Sequence, residues 1–409
     1  MQIVSLLAIT GVLLVNAAGC GREDSVTKDE SRSEVKQIEE RESRQETFSE
    51  GKATEPALSE EEIPTGRVEE FLSGMTLEEK IYQMFLVTPE QLTGVSPVTA
   101  AGDTTRSSLA RYPVGGLVYF AQNLVSWEQT TAMLSEVQKF SYEIEGLPLF
   151  LCVDEEGGRV ARVAGSGVFQ VENVGPMAAV ASKEEAYRCG DTIGAYLSEL
   201  GFNVDFAPDA DVLTNPGNSA IGDRSFGPDA EAVTNRAAAY SDGLHAHGIL
   251  STFKHFPGHG ATEADTHAGY AYTGRTYEEL MRAELKPFAA AQSLGVDFVM
   301  AAHISLPAVT GDDTPCSLSE RMLTDILRGE LGFQGLIVTD ALNMGAISQN
   351  YASSTAAVMA VKAGADLLLM PEDLDAAFSG IYGAVMDGSI TEERINESVR
   401  RILSVKLRS

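Results

Sequence analysis

Three of the six histidines fall within fourteen residues, His255 and His259 in Lys254-His255-Phe256-Pro257-Gly258-His259-Gly260 and His267 in Asp265-Thr266-His267. An ammonium group, three imidazoles and a carboxylate so close in the chain can bind polar groups and move a proton near neutral pH. Asp265 and His267 stand two residues apart, which puts both side chains on one side of an extended segment. A carboxylate beside an imidazole fixes its tautomer and favours its protonated form, so His267 with Asp265 is a candidate general acid. A histidine alone is far more often a packed or surface residue, and it is the concentration that carries weight. His259, between two glycines, reads as a residue that shapes the loop.

The elements that must hold this cluster are legible as alternating apolar runs. Residues 248–253 read as a buried strand, with Lys254 and His255 expected at its carboxyl end, because Pro257 and Gly258 cannot continue it. Similar runs occur at 84–87, 116–120, 149–153, 202–207, 298–302, 336–339 and 366–370. Between most of them lie amphipathic stretches of helix length: 127–145, 183–200, 229–247, 277–294, 319–331 and 352–363. Thr76 and Glu79 have capping-box spacing and open a short helix. Eight strands, each followed by helix-length sequence, predict an α/β fold, a (β/α)8 TIM-type barrel forming a single catalytic domain over 63–409. A doubly wound open sheet would alternate too. The polar residues favour the barrel, because Asp154, Asp209, Asp211, Lys254, His255, His303, Asp340 and Glu372 all fall at predicted carboxyl ends of strands, where barrel enzymes keep their sites.

The first 62 residues differ from the rest. Residues 3–15 are an apolar run of signal-peptide length, ending in Ala17-Ala18-Gly19-Cys20. Those small residues before a cysteine resemble a bacterial lipobox, which predicts a lipoprotein-type signal over 1–20 and lipidation of Cys20. Residues 21–62 hold fourteen acidic and seven basic residues with Phe48 as the sole aromatic, a composition expected to form a disordered tether. The net charge of −29 argues against nucleic acid or an anionic membrane surface as a partner. Membrane association is expected only through the anchor, with the catalytic domain outside the cell. Cys152, Cys189 and Cys316 lack ligand spacing and read as buried free thiols.

Five motifs together resemble glycoside hydrolase family 3, and within it the β-N-acetylglucosaminidases. They are Asp154-Glu155-Glu156-Gly157-Gly158-Arg159-Val160-Ala161-Arg162, Ile221-Gly222-Asp223-Arg224-Ser225-Phe226, the Lys254 to Gly260 stretch, Asp265-Thr266-His267, and Val338-Thr339-Asp340-Ala341-Leu342-Asn343-Met344. The resemblance implies retaining hydrolysis of a terminal β-linked N-acetylglucosamine, with Asp340 as nucleophile, His267 as acid/base and Asp265 as its dyad partner. It also implies sugar contacts from Asp154, Arg162, Arg224, Lys254 and His255. Glu155 stands where many relatives carry glutamine. Phe226 and Met344 could offer apolar surface near an acetamido group, although packing accounts for both. Other branches of the family take their acid/base from a second domain; the sequence ends at Ser409 soon after the eighth strand, so the histidine loop is expected to supply the proton.

The expected partner is a glycan with terminal N-acetylglucosamine, peptidoglycan fragments foremost, and chitin oligosaccharides remain an alternative. No cofactor and no metal are expected. Transfer of the sugar to phosphate and attack by the substrate's own acetamido oxygen are the competing chemistries. A non-catalytic glycan-binding lipoprotein is the competing class.

Overall fold

The alternation of strand and helix is set by local signals that the fold uses directly. The structure, a computed structural model, describes residues 65–262 and 271–408. Cys20, the charged segment before residue 63, Asp265 and His267 lie outside the described residues. Thr76 caps the helix Leu77–Gln83 with the reciprocal Glu79 bond its spacing predicted. Trp127–Glu145 runs between Ser126 as N-cap and Gly146 as C-cap, and Lys183–Leu200 between Ser182 and Gly201. Both helices match the expected bounds because hydroxyl and glycine punctuate them. The predicted helix over 277–294 instead breaks into Tyr277–Leu280 and Lys286–Ala290. Pro287, which has no N–H to donate, sits in the first turn of the second piece.

Eight strands carry the layer inside these helices: β1 Phe85–Val87, β2 Gly116–Val118, β3 Phe150–Val153, β4 Val204–Asp205, β5 Thr252–Phe256, β6 Phe298–Ala301, β7 Leu336–Thr339 and β8 Leu368–Leu369. All their pairings are parallel. One sheet runs β8-β1-β2-β3-β4, and the other β7-β6-β5. Parallel bridges Val204↔Leu250 and Val338↔Leu367 lie between the two sheets. The fold is therefore α/β and TIM-barrel-like, with its strands buried as parallel strands must be.

β5 corrects the sequence reading. It begins at Thr252 and runs through Phe256, so Lys254 and His255 lie within the strand and not beyond its end. Pairing with β6, Lys254 against Met300 and Phe256 against Ala301, extends the strand where polar residues alone suggested a stop. The described residues fall within one compact unit, Glu61–Ser409. Among them no helix is long and apolar enough to cross a membrane. Cys152, Cys189 and Cys316 are buried and free, as expected.

Candidate active site

After β3 the chain turns back as a short antiparallel pair, Glu155–Gly157 with Val160–Ala161. Gly157 takes a φ of 92°, and a Cβ there would meet Val174 at 2.7 Å, so the turn admits only glycine. Side chains along an extended segment alternate, which separates Asp154 and Glu156 from Glu155. Glu155 faces the scaffold, accepting the backbone N–H groups of Val163 (2.7 Å) and Ala164 (2.8 Å) and the Tyr196 hydroxyl (2.8 Å). Burial raises its pKa above the ordinary carboxylate range.

Asp154 and Glu156 face cations. The Lys254 ammonium lies 2.8 Å from Asp154 Oδ1 and 2.6 Å from Glu156 Oε1. Arg224 grips Glu156 with two parallel bonds of 2.7 Å, from Nε and from a terminal nitrogen. Arg162 stands further off, 3.8 Å from Asp154 Oδ2. A register slip in β5 across His255 lets two consecutive side chains, Lys254 and His255, reach the same cluster. His255 Nδ1 lies 2.7 Å from Asp211 Oδ2, and its Nε2 lies 3.3 Å from Arg224. With Nδ1 donating to the carboxylate, Nε2 is left to accept from the guanidinium in the neutral ring. Arg224 comes from the 3-10 turn Gly222–Arg224, whose approach is held by Arg159 donating to the carbonyls of Ser219, Ala220 and Ile221.

Burial works against every charge here, and the outcome differs from one group to the next. Glu156 would be pushed up by burial, but Arg224 and Lys254 outweigh it and hold the carboxyl far below its usual range. Burial depresses Lys254, yet Asp154 and Glu156 raise it on balance. Asp211 overcomes burial through His255 and His259 and stays low, and His255 rises in turn. Asp209 is the exception: burial and the neighbouring Asp211 push it up to about 7. Its Oδ2 has no hydrogen-bond partner and lies 3.6 Å from Arg224. Asp209, Asp211 and His255 also bring ligand atoms within 4.8 Å of one another, but the Arg224 guanidinium already stands beside two of them as the cation.

Asp340 follows β7 at the same end of the strands. Its N–H donates to Ala301 O at 2.8 Å, and its Oδ1 accepts from Ala341 N at 2.8 Å. It is half-buried, and its charge reaches His259. His303, predicted at the end of β6, is buried between the Ser317 hydroxyl (2.7 Å) and the Ala341 carbonyl (2.9 Å), where it props the chain after Asp340. Glu372 departs from expectation: it is exposed and lines a surface groove with Asp103, Arg111 and Asp375. Phe226 and Met344 are buried, in keeping with packing.

Residues 76–405 match the glycosyl hydrolase family 3 N-terminal domain. The chain belongs to glycosyl hydrolase family 3. Beta-hexosaminidase A of Pseudoalteromonas piscicida is 32% identical over 322 residues, 73% of this chain and 54% of that protein. A beta-hexosaminidase of Nitrosomonas eutropha is 36% identical over 286 residues, 68% of this chain and 80% of that protein. Among solved structures, a family 3 β-N-acetylglucosaminidase from Paenibacillus sp. str. FPU-7 is 39% identical with a TM-score of 0.76, covering 82% of this chain and 62% of that one. The chain spans about half the length of the first of these relatives, 54%.

Within this family 3 chain, the structure brings together Asp154, Arg162, Arg224, Lys254 and His255. Asp340 joins them at the same end of the strands, and Asp265 and His267 are not described. Sequence reasoning missed Glu156 as the centre of the cluster and underrated Asp211. A signal for the first was available: two buried cations from different motifs, Arg224 and Lys254, require more than one carboxylate between them.

Proposed function

We propose that this protein releases terminal β-linked N-acetylglucosamine from a glycan, with retention, using Asp340 as nucleophile and the His267/Asp265 pair as acid and base. The observation that carries this reading is the position of Asp340, half-buried at the end of β7, at the same strand end as a cluster rich in hydroxyl-binding groups. Likeness to β-hexosaminidases and to a β-N-acetylglucosaminidase supports the choice of sugar.

An Asp340 oxygen would bond to the anomeric carbon as the glycosidic C–O bond breaks, while His267 gives its proton to the departing oxygen. Water would then attack the same carbon, lose a proton to His267 and free Asp340. Asp154 would accept bonds from sugar hydroxyls, Arg162, Arg224 and Lys254 would donate, and His255 would add a further sugar contact. The supporting frame is a closed (β/α)8 barrel of a single catalytic domain over 63–409, a reading that the two inter-sheet bridges favour. Residues 1–20 would direct export, Cys20 would be lipidated, and 21–62 would tether the enzyme to the outer face of the membrane. Peptidoglycan fragments are the glycan such a position favours.

The test is nitrophenol release from 4-nitrophenyl β-N-acetylglucosaminide, with and without phosphate, for the full chain and its Asp340→Asn variant. Turnover independent of phosphate and lost in the variant is expected. Turnover that rises with phosphate and yields the sugar 1-phosphate would make the enzyme a phosphorylase. No turnover by the folded protein would favour a glycan-binding lipoprotein.

A further inference from the structure

The chain enters and leaves the segment 263–270 through backbone that is held on both sides by one loop, the residues that follow β4. On the entry side, Asp211 Oδ1 accepts the His259 N–H at 2.5 Å, and Asn218 Nδ2 donates to the His259 carbonyl at 2.8 Å. Asn215 donates two further bonds, from its N–H to Gly260 O at 3.0 Å and from its Nδ2 to Thr262 O at 3.1 Å. A Cβ on Gly260 would stand 2.1 Å from the Val212 carbonyl, so the two backbones touch.

On the exit side, Ala271 and Tyr272 pair in parallel with Ile304 and Ser305, and the chain then reaches Arg275. Arg275 donates from one terminal nitrogen to Glu284 Oε1 at 2.6 Å and from the other to Thr214 Oγ1 at 3.1 Å. The Thr214 hydroxyl donates to the same Glu284 oxygen at 2.5 Å, closing a triangle of three bonds. Glu284 is fully buried, and a Cβ on Gly258 would stand 2.5 Å from its Cβ, so this carboxylate also abuts the entry side. Thr214 and Asn215, adjacent in sequence, therefore hold opposite ends of one segment.

We propose that Arg275, with Glu284 and Thr214, is a positioning site for protonation of the leaving group, holding the described chain on the exit side of the segment that carries Asp265 and His267. This rests on the reading of His267 as proton donor. None of the three is among the residues assigned to sugar or nucleophile, so loss of the triangle should spare sugar binding and weaken only protonation of the leaving group. Proton donation matters most when the leaving oxygen is basic and least when it departs readily as an anion.

The experiment measures kcat and KM of the full chain for aryl β-N-acetylglucosaminides from dinitrophenyl to unsubstituted phenyl, in wild type, Arg275→Met, Arg275→Lys, Thr214→Val and His267→Ala. Arg275→Met should lose about tenfold or more in kcat/KM on the phenyl glycoside and less than about twofold on the dinitrophenyl one. Arg275→Lys, which keeps the charge, should fall between Met and wild type. Thr214→Val should show the same slope more weakly, and it stands in if Arg275→Met does not fold. Equal losses across the leaving groups, or none, would overturn the proposal if His267→Ala itself shows the steep dependence. A flat dependence in His267→Ala would overturn the donor reading and this proposal with it.

Discussion

Two carboxylates, Glu156 and Asp366, are each buried and each hold two cations, yet they are used in different ways. Asp366 precedes β8 and accepts from Arg328, from Arg401 at 3.1 Å, from the Ser398 hydroxyl at 2.8 Å and from Ile337 N at 3.0 Å. Its cations serve the chain as well: Arg328 donates to the carbonyls of Phe333 and Gly335, and nearby Arg394 to those of Val361 and Ala365. Every charge there is used to fasten helices to the entry ends of strands. Glu156 lies at the exit ends, and its cations lead onward to Asp154 and His255, with half-exposed Arg162 beyond. The Arg162 Nε is buried without a partner, and Asp209 keeps an unpartnered oxygen. Each hub keeps an unpartnered buried atom, Arg328 Nε at the Asp366 hub as well as Asp209 Oδ2 near Glu156. The difference lies in where the cations lead: to backbone carbonyls around Asp366, as in a latch, and to further polar side chains at the exit ends of the strands around Glu156.

The sharpest way to break that distinction is to neutralise each hub. Glu156→Gln keeps the shape but leaves Arg224 and Lys254 short of one negative charge. Steady-state kinetics should show kcat/KM lower by about 10²–10³-fold, the scale for removing one preorganised electrostatic partner. Asp366→Ala should instead cost about 3–5 kcal/mol of stability by urea denaturation, since it strands Arg328 in a buried site, while kcat of the folded fraction stays within about twofold. A folded Asp366→Ala enzyme with strongly reduced kcat would erase the contrast.

The two ends should also differ in their response to pH. Asp209 keeps its proton in the folded state up to about pH 7, whereas the unfolded chain releases it near the ordinary value of 3.8. The folded state therefore loses stability as pH rises between those values, by at most about 4 kcal/mol, and less where Asp211 shares the titration. Thermal unfolding of Asp209→Asn should flatten this decline, and an unchanged pH profile would contradict it. The smallest effect is expected at Arg162, a third exposed and 3.8 Å from Asp154. Arg162→Met should raise KM by about three- to tenfold with little change in kcat.

Much of this was legible because capping and periodicity are local. Thr76 with Glu79, and Ser126 before 127–145, announce their helices without reference to the rest of the chain. The polar strand ends likewise pointed to one face. What escaped depended on partners distant in sequence. The Asp154-Glu155-Glu156 run offers three carboxylates in a row, and only the hairpin decides that Glu155 turns to Tyr196 while Glu156 meets Arg224. β5 reaches Phe256 because β6 pairs with it, which no pattern within 248–256 encodes. Glu372 stands at a strand end like Asp340 but faces a groove, since position along a strand does not fix direction beyond it.

The proposed function rests on Asp340 forming the bond to the sugar. Incubating the full chain with a fluorinated N-acetylglucosaminyl donor that slows the second step, followed by proteolysis and mass spectrometry, tests it directly. One added glycosyl group is expected on the peptide containing Asp340, absent in Asp340→Asn. Turnover of the donor with no adduct at Asp340 would contradict it and assign the attack to the substrate's own acetamido oxygen.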